Sequence, residues 1–169
     1  MFSTVALVVC IAFFAEQIKT TSAQACPNGW FAGAPVGGNA QNAPCYLIVP
    51  GATTPGQARL FCASLSANPA SNFGWPESMA DMTTIDSRAS GLGVRTYWLA
   101  LERRSGAWVT PGGVAATFNN WRRGQPDGCC GRNVSCIVAG YRGLPGAQWD
   151  DTGCDRPPRG LDGYFCRIR

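Results

Sequence analysis

The chain has 169 residues, 46% of them hydrophobic, a formal net charge of +4 and no histidine. That length supplies one domain with a single sizeable core. The missing histidine excludes serine–histidine and cysteine–histidine nucleophile machinery and removes the usual general base near neutral pH, while the mild, spread charge argues against nucleic acid as a partner.

In chain order, residues 5–15 (VALVVCIAFFA) form an uncharged apolar run. It is shorter than the about 20 residues of a bilayer span and suits the core of a secretory leader. Ala23 and Ala25 are the small residues a signal peptidase accepts. The expected division is a leader over 1–25, cleaved after Ala23 or Ala25, and one exported domain over 26–169. No Lys or Arg precedes the apolar run, so an uncleaved anchor is the alternative. Cys10 falls in the leader, leaving Cys26, Cys45, Cys62, Cys129, Cys130, Cys136, Cys154 and Cys166. An even set in an exported domain reads as disulfides, with the pairing open. Without His or paired C-x-x-C knuckles a zinc site is disfavoured. Lys19 is the only lysine, so the mature positive charge is all Arg, with pairs at 103–104 and 122–123. A solvated surface is the plain reading of these arginines, and acidic glycans stay open as partners.

The stretch 26–44 is loop-like, rich in Gly, Pro and Asn, and CYLIV (45–49) has strand composition. In TTPGQARLFCASL (53–65), Thr54 is an N-cap and Pro55 takes the first helical position. Ala58, Leu60, Phe61, Cys62 and Leu65 follow at helical spacing, so a helix is predicted there. Residues 66–78 read as a polar insertion, and SRASGLGVR (87–95) as a second, short helix despite two glycines. Short strands are then predicted at 97–101, 107–109, 116–121, 136–141, 147–149 and 164–169, between turns of Gly, Pro, Asn and Asp. Helices early and short strands late predict a loop-rich α+β domain that needs disulfides. Trp98, Trp108, Trp121 and Trp149 lie in apolar, strand-like surroundings and read as core aromatics; Glu102 and Asp155 read as solvated surface charges.

Between the last strands lies GQPDGCCGRNVSC (124–136), too polar and glycine-rich for core. Taken in order, CPNGW, ARLFCASL, YWLAL, FNNWRRGQPD, WDDTGC and YFCRIR resemble a C-type lectin-like domain over essentially the whole mature chain. The resemblance implies two helices, short antiparallel strands, a long calcium-binding loop region and the pairings Cys26–Cys45, Cys62–Cys166 and Cys136–Cys154. It also implies a calcium site that touches sugar, on the matching residues Gln125, Pro126 and Asp127, then Trp149, Asp150 and Asp151. The chemistry suits this: calcium takes about 6–8 oxygen ligands. A cis peptide before Pro126 would turn the Gln125 and Asp127 side chains to one side. Vicinal sugar hydroxyls would complete the shell, donating to the carboxylates and accepting from the Gln125 amide.

Three departures from the family pattern bear on this. Val134 stands where sugar-binding members place Glu, and Asp150 where they place Asn, so three carboxylates remain: Asp127, Asp150 and Asp151. A working but weaker site is expected, with Asn133 as a further neutral oxygen donor. The order Gln-Pro-Asp resembles the galactose-type arrangement, although no aromatic follows it to stack on a sugar. Cys129 and Cys130 lack partners in the usual scheme. A vicinal Cys129–Cys130 bridge is favoured over a bond to a second chain, which would give a disulfide-linked oligomer and multivalency, or to a small thiol. A non-covalent oligomer is also open. Asn133 heads the NVS glycosylation triplet.

The expected function is a secreted, calcium-dependent lectin for galactose-type or other neutral sugars, recognising microbial or self glycans as in innate immunity. The alternative is a domain of this fold with a mineral-matrix, ice-binding or protein-binding role. An enzyme and a membrane span are not expected, though carboxylate-pair hydrolysis stays formally open.

Overall fold

The computed structural model describes residues 26–65, 71–129 and 132–169. The expected leader at 1–25 lies outside them, as do residues 66–70, 130 and 131.

In chain order the strands are β1 (Phe31–Ala32), β2 (Cys45–Pro50), β3 (Asn72–Phe73), β4 (Tyr97–Leu99), β5 (Glu102–Arg104), β6 (Ala107–Val109), β7 (Val134–Ala139), β8 (Trp149–Gly153) and β9 (Gly163–Ile168). The helices are α1 (Pro55–Ser64) and α2 (Met79–Gly91). The last strand joins most of them. β9 pairs antiparallel with all of β2 and with β3, and parallel with β4. The resulting order is β1-β2-β9-β4-β7-β8, with β3 also on β9, while β5 and β6 form a separate hairpin. All six residues of β9 are buried, as a central strand covered on both faces requires.

The period of two along each strand builds two cores. Tyr97 and Leu99 of β4, Ile137 of β7 and Phe165 of β9 face one side, where they meet Met82 and Ile85 of α2. Trp98, Val138, Tyr164 and Cys166 face the other, where they meet Ala58 and Cys62 of α1. Trp98 and Trp149 are fully buried; Trp108 and Trp121 are partly buried and pack against the first cluster.

Helix α1 begins as its local sequence predicts. The Thr54 side chain accepts from the Gln57 amide, and the Gln57 side chain accepts from the Thr54 amide in return. Helix α2 differs from the 87–95 prediction, starting at Met79 and ending at Gly91. Ser78 caps it through the Asp81 amide, and Met82, Ile85 and Ala89 bury one face. Within the supposed polar insertion, Phe73 is 2% exposed, and strand β3 joins the sheet there. No strand forms over 116–121 beyond a single bridge between Trp121 and Trp149. Residues 145–147 make a 3-10 turn, so β8 begins at Trp149 instead of ending there. Strand β5 was not predicted; it returns into β6 through Ser105 and Gly106, both at positive φ, the geometry of a two-residue hairpin loop. Glu102 on β5 is no free surface charge: it pairs with Arg59 of α1 and, at 2.9 Å, with Arg104.

Disulfides join Cys26 to Cys45, Cys62 to Cys166 and Cys136 to Cys154. The second ties α1 to the central strand across 104 residues of sequence. Replacing Cys62 and Cys166 together by Ala should therefore lower the unfolding free energy by about 4–5 kcal/mol in urea denaturation, the chain-entropy value for a loop of that size.

Candidate ligand-binding cleft

The site is built on the β7–β8 pair, where Val138 faces Asp150 and Ile137 faces Asp151. Adjacent strand residues send their side chains to opposite faces. At the sheet's outer edge the two carboxylates consequently meet different partners. Residues 120–122 run beside β8 and deliver the loop that follows: the Trp149 amide donates to the Asn120 carbonyl at 2.8 Å, and the Arg122 amide to the Trp149 carbonyl at 3.1 Å. Asn120 also donates its side-chain amide to the Gly146 carbonyl at 2.9 Å. The Trp121 and Trp149 rings meet edge-on at 5.6 Å.

From this anchor the loop passes through a cis peptide between Gln125 and Pro126. Asp151, 3% exposed, accepts from the Asp127 amide at 3.0 Å through Oδ1 and from the Gly128 amide at 2.9 Å through Oδ2. The Asp127 amide also donates to Gln125 Oε1 at 2.9 Å, and Asp127 Oδ1 accepts from the Cys129 amide at 2.9 Å. Asp150 turns to Arg122, whose Nε and Nη2 donate to its Oδ2 at 3.1 and 2.8 Å. That hydrogen bond and charge hold the Arg122 guanidinium protonated still more firmly than usual, and Asp127 and Asp151 add to the effect. One cation thus lies in the field of all three acids. Among the described residues, no three acidic, cysteine or histidine side chains stand close enough together to hold a metal ion as they lie.

Gln125, Asp127, Asp150 and Asp151 border one cleft of about 1150 Å³. Asn133 is not among its lining residues; its Oδ1 accepts from the Ser135 hydroxyl at 2.8 Å. Val134 pairs with Gly153 at the start of β7. Cys129 borders the cleft and is disulfide-bonded, whereas Cys130 lies outside the described residues. Sequence reasoning missed the rest of the lining, a wall that includes Tyr141, Arg142 and residues 155–159. Asp155, read as plain surface, stands on it. The only signal for this wall was the arginine density of DRPPR and YRG, and nothing local says that these segments face the Gln125 loop.

No protein-family model matches the chain. It is 29% identical over 164 residues to human C-type lectin domain family 4 member G, covering 92% of this chain and 47% of that protein. It is 27% identical over 148 residues to C-type lectin lectoxin-Lio3 of Erythrolamprus poecilogyrus, covering 84% and 80%. The chain thus spans about half the length of the first relative. Its fold matches the C-type lectin CEL-I from Cucumaria echinata with a TM-score of 0.67 at 21% identity, over 86% of this chain and 99% of that one. A calcium-independent type II antifreeze protein matches with a TM-score of 0.64 at 18% identity, over 88% and 97%.

The carboxylate of Asp151 is the main tie between β8 and the loop. Asp151→Ala should speed hydrogen exchange at the Asp127 and Gly128 amides by about tenfold or more, the loss of a charge-assisted bond at each, while amides of β9 keep their protection.

Proposed function

This chain is a C-type lectin-like domain, and from that premise we propose that it is a secreted carbohydrate-binding protein whose sugar site is the mouth of this cleft. The observation that carries the reading is the meeting of the Gln125–Asp127 loop with Asp150 and Asp151 of β8 at one cleft. Three closed disulfides agree with export. The role is binding and not catalysis.

The donor set suits calcium in kind: three carboxylates and one amide oxygen, all hard oxygen donors. Arg122 already stands as a cation in their common field, so the position favours positive charge. Gln125, Asp127, Asp150 and Asp151 would hold the ion, with Asp150 released from Arg122. When bound, calcium would offer coordination to two vicinal sugar hydroxyls. The carboxylates accept protons from those hydroxyls, and the Gln125 amide donates to them. The amide-before-acid order favours galactose-type sugars. Tyr141 offers the aromatic surface that the loop itself lacks.

A second reading, a non-sugar role such as ice or protein binding, is favoured by one observation. Asp150 is already paired with Arg122, so one of the four proposed ligands is occupied without metal. Its fold match to a calcium-independent antifreeze protein agrees.

The mature protein should be retained on immobilised galactose in the presence of calcium, more firmly than on mannose, and should elute with chelator. Retention on neither sugar, together with no calorimetric calcium binding, would favour the second reading. Asp151→Ala should abolish calcium binding in the same titration, and Arg122→Gln should tighten it by freeing Asp150. Unchanged affinity in Asp151→Ala would place the ion elsewhere.

A further inference from the structure

Two groups of arginines stand out in this protein. Arg59, Arg104, Arg122, Arg167 and Arg169 each pair with an acid. Arg132, Arg142, Arg156 and Arg159 are all exposed, line the same cleft, and have no ion-pair partner among the described residues. The same lining holds Asp127, Asp150, Asp151 and Asp155; Arg122 offsets Asp150, and the Asp127 and Gly128 amides engage Asp151. Five arginines against four aspartates leave the cleft one positive charge in surplus, in a concave space where field lines concentrate.

The backbone carries the wall in restrained form. Arg142 holds a φ of 56°, a left-handed conformation that non-glycine residues adopt at a cost, and its guanidinium lies 5.2 Å from the Tyr141 ring centroid. Pro157 and Pro158 stiffen the segment between Arg156 and Arg159, and the Cys136–Cys154 disulfide ties its base to β7. Little backbone entropy is then lost when a ligand binds against this segment. Every unpaired cation is an arginine, whose planar fork matches the two oxygens of a carboxylate or sulfate.

We propose that the cleft takes an acidic saccharide, one carrying a sulfate ester or a carboxylate, with the acidic group held by Arg142, Arg156 and Arg159 and the sugar ring toward Gln125 and Asp127. This rests on the reading of the cleft as a sugar site and names its ligand class. The cleft volume of about 1150 Å³ exceeds the roughly 300–1,000 Å³ of ordinary small-molecule sites, so a ring and a charged substituent fit side by side.

The test titrates the disulfide-intact protein by calorimetry, in calcium, with galactose, galactose 6-sulfate and galacturonic acid. At least one acidic sugar should bind about tenfold or more tighter than galactose, the gain expected from a charge-assisted contact. The advantage should shrink in about 0.5 M salt through screening. It should also vanish in the Arg156→Gln/Arg159→Gln double variant and persist in Arg103→Gln, which removes a like charge outside the cleft. Equal affinity for all three sugars would overturn the proposal while leaving the sugar site intact. So would an equal loss in Arg103→Gln, since binding would then follow net charge alone. An acidic-sugar advantage that survives chelator would support the proposal and count against the calcium dependence of the site. Binding of none of the three overturns both.

Discussion

A single carboxylate at the outer edge of the sheet holds the loop on which the chemistry depends. Asp151 is buried to 3% exposure, and both of its oxygens are spent on backbone amides of the Gln125–Gly128 turn. A buried anion is costly unless its hydrogen-bonding capacity is met, and these two amides meet it. The loop is thereby fixed relative to β8, and β8 relative to the rest through β7, β4 and the buried central strand. The position of Gln125 and Asp127 is therefore decided by pairings that begin more than twenty residues away.

The same economy governs the arginines. Where a guanidinium meets a carboxylate, as Arg122 meets Asp150 or Arg167 meets Glu77, it closes the structure and neutralises a partly or fully buried charge. Arg167 is itself buried and lies 4.1 Å from the Trp75 ring centroid, which contributes to its desolvated environment. Where no carboxylate is at hand, the charge remains available to a ligand. The adjacent pairs 103–104 and 122–123 drew attention in the sequence, yet Arg104 and Arg122 are each committed to an internal acid. Four of the uncommitted charges, Arg132, Arg142, Arg156 and Arg159, are dispersed along the chain and come together at the cleft.

Legibility followed the range of the interactions. Helix α1 could be read because its start is local: Thr54, Pro55 and Gln57 satisfy the first-turn amides among themselves. Helix α2 carried its own signals, Ser78 as cap and Met82, Ile85 and Ala89 at helical spacing, but Ser78 closed the stretch read as a polar insertion and residues 79–86 were assigned to no element. Strand β3 was hidden for a different reason. Two residues carry no periodicity, and Phe73 is buried only because β9 is there to receive it. Residues 116–121 have strand composition yet form one bridge: the Ala116 amide donates to the Trp108 carbonyl, the Asn120 carbonyl accepts from the Trp149 amide, and Phe118 and Trp121 pack on the Trp149 ring.

From the sequence alone came the α+β class, the start of the first helix, the disulfide-bearing character of the domain and the four oxygen-bearing residues now found at one cleft. Each follows from composition, from contacts a few residues long, or from an ordered set of short motifs. Tertiary structure alone decided that Arg122 answers Asp150, that Asp151 is spent on the loop backbone, and that Tyr141 and four arginines without an ion pair border the same cleft. Those outcomes depend on which side chains meet across the edge of a folded sheet, and separation along a chain carries no record of such meetings.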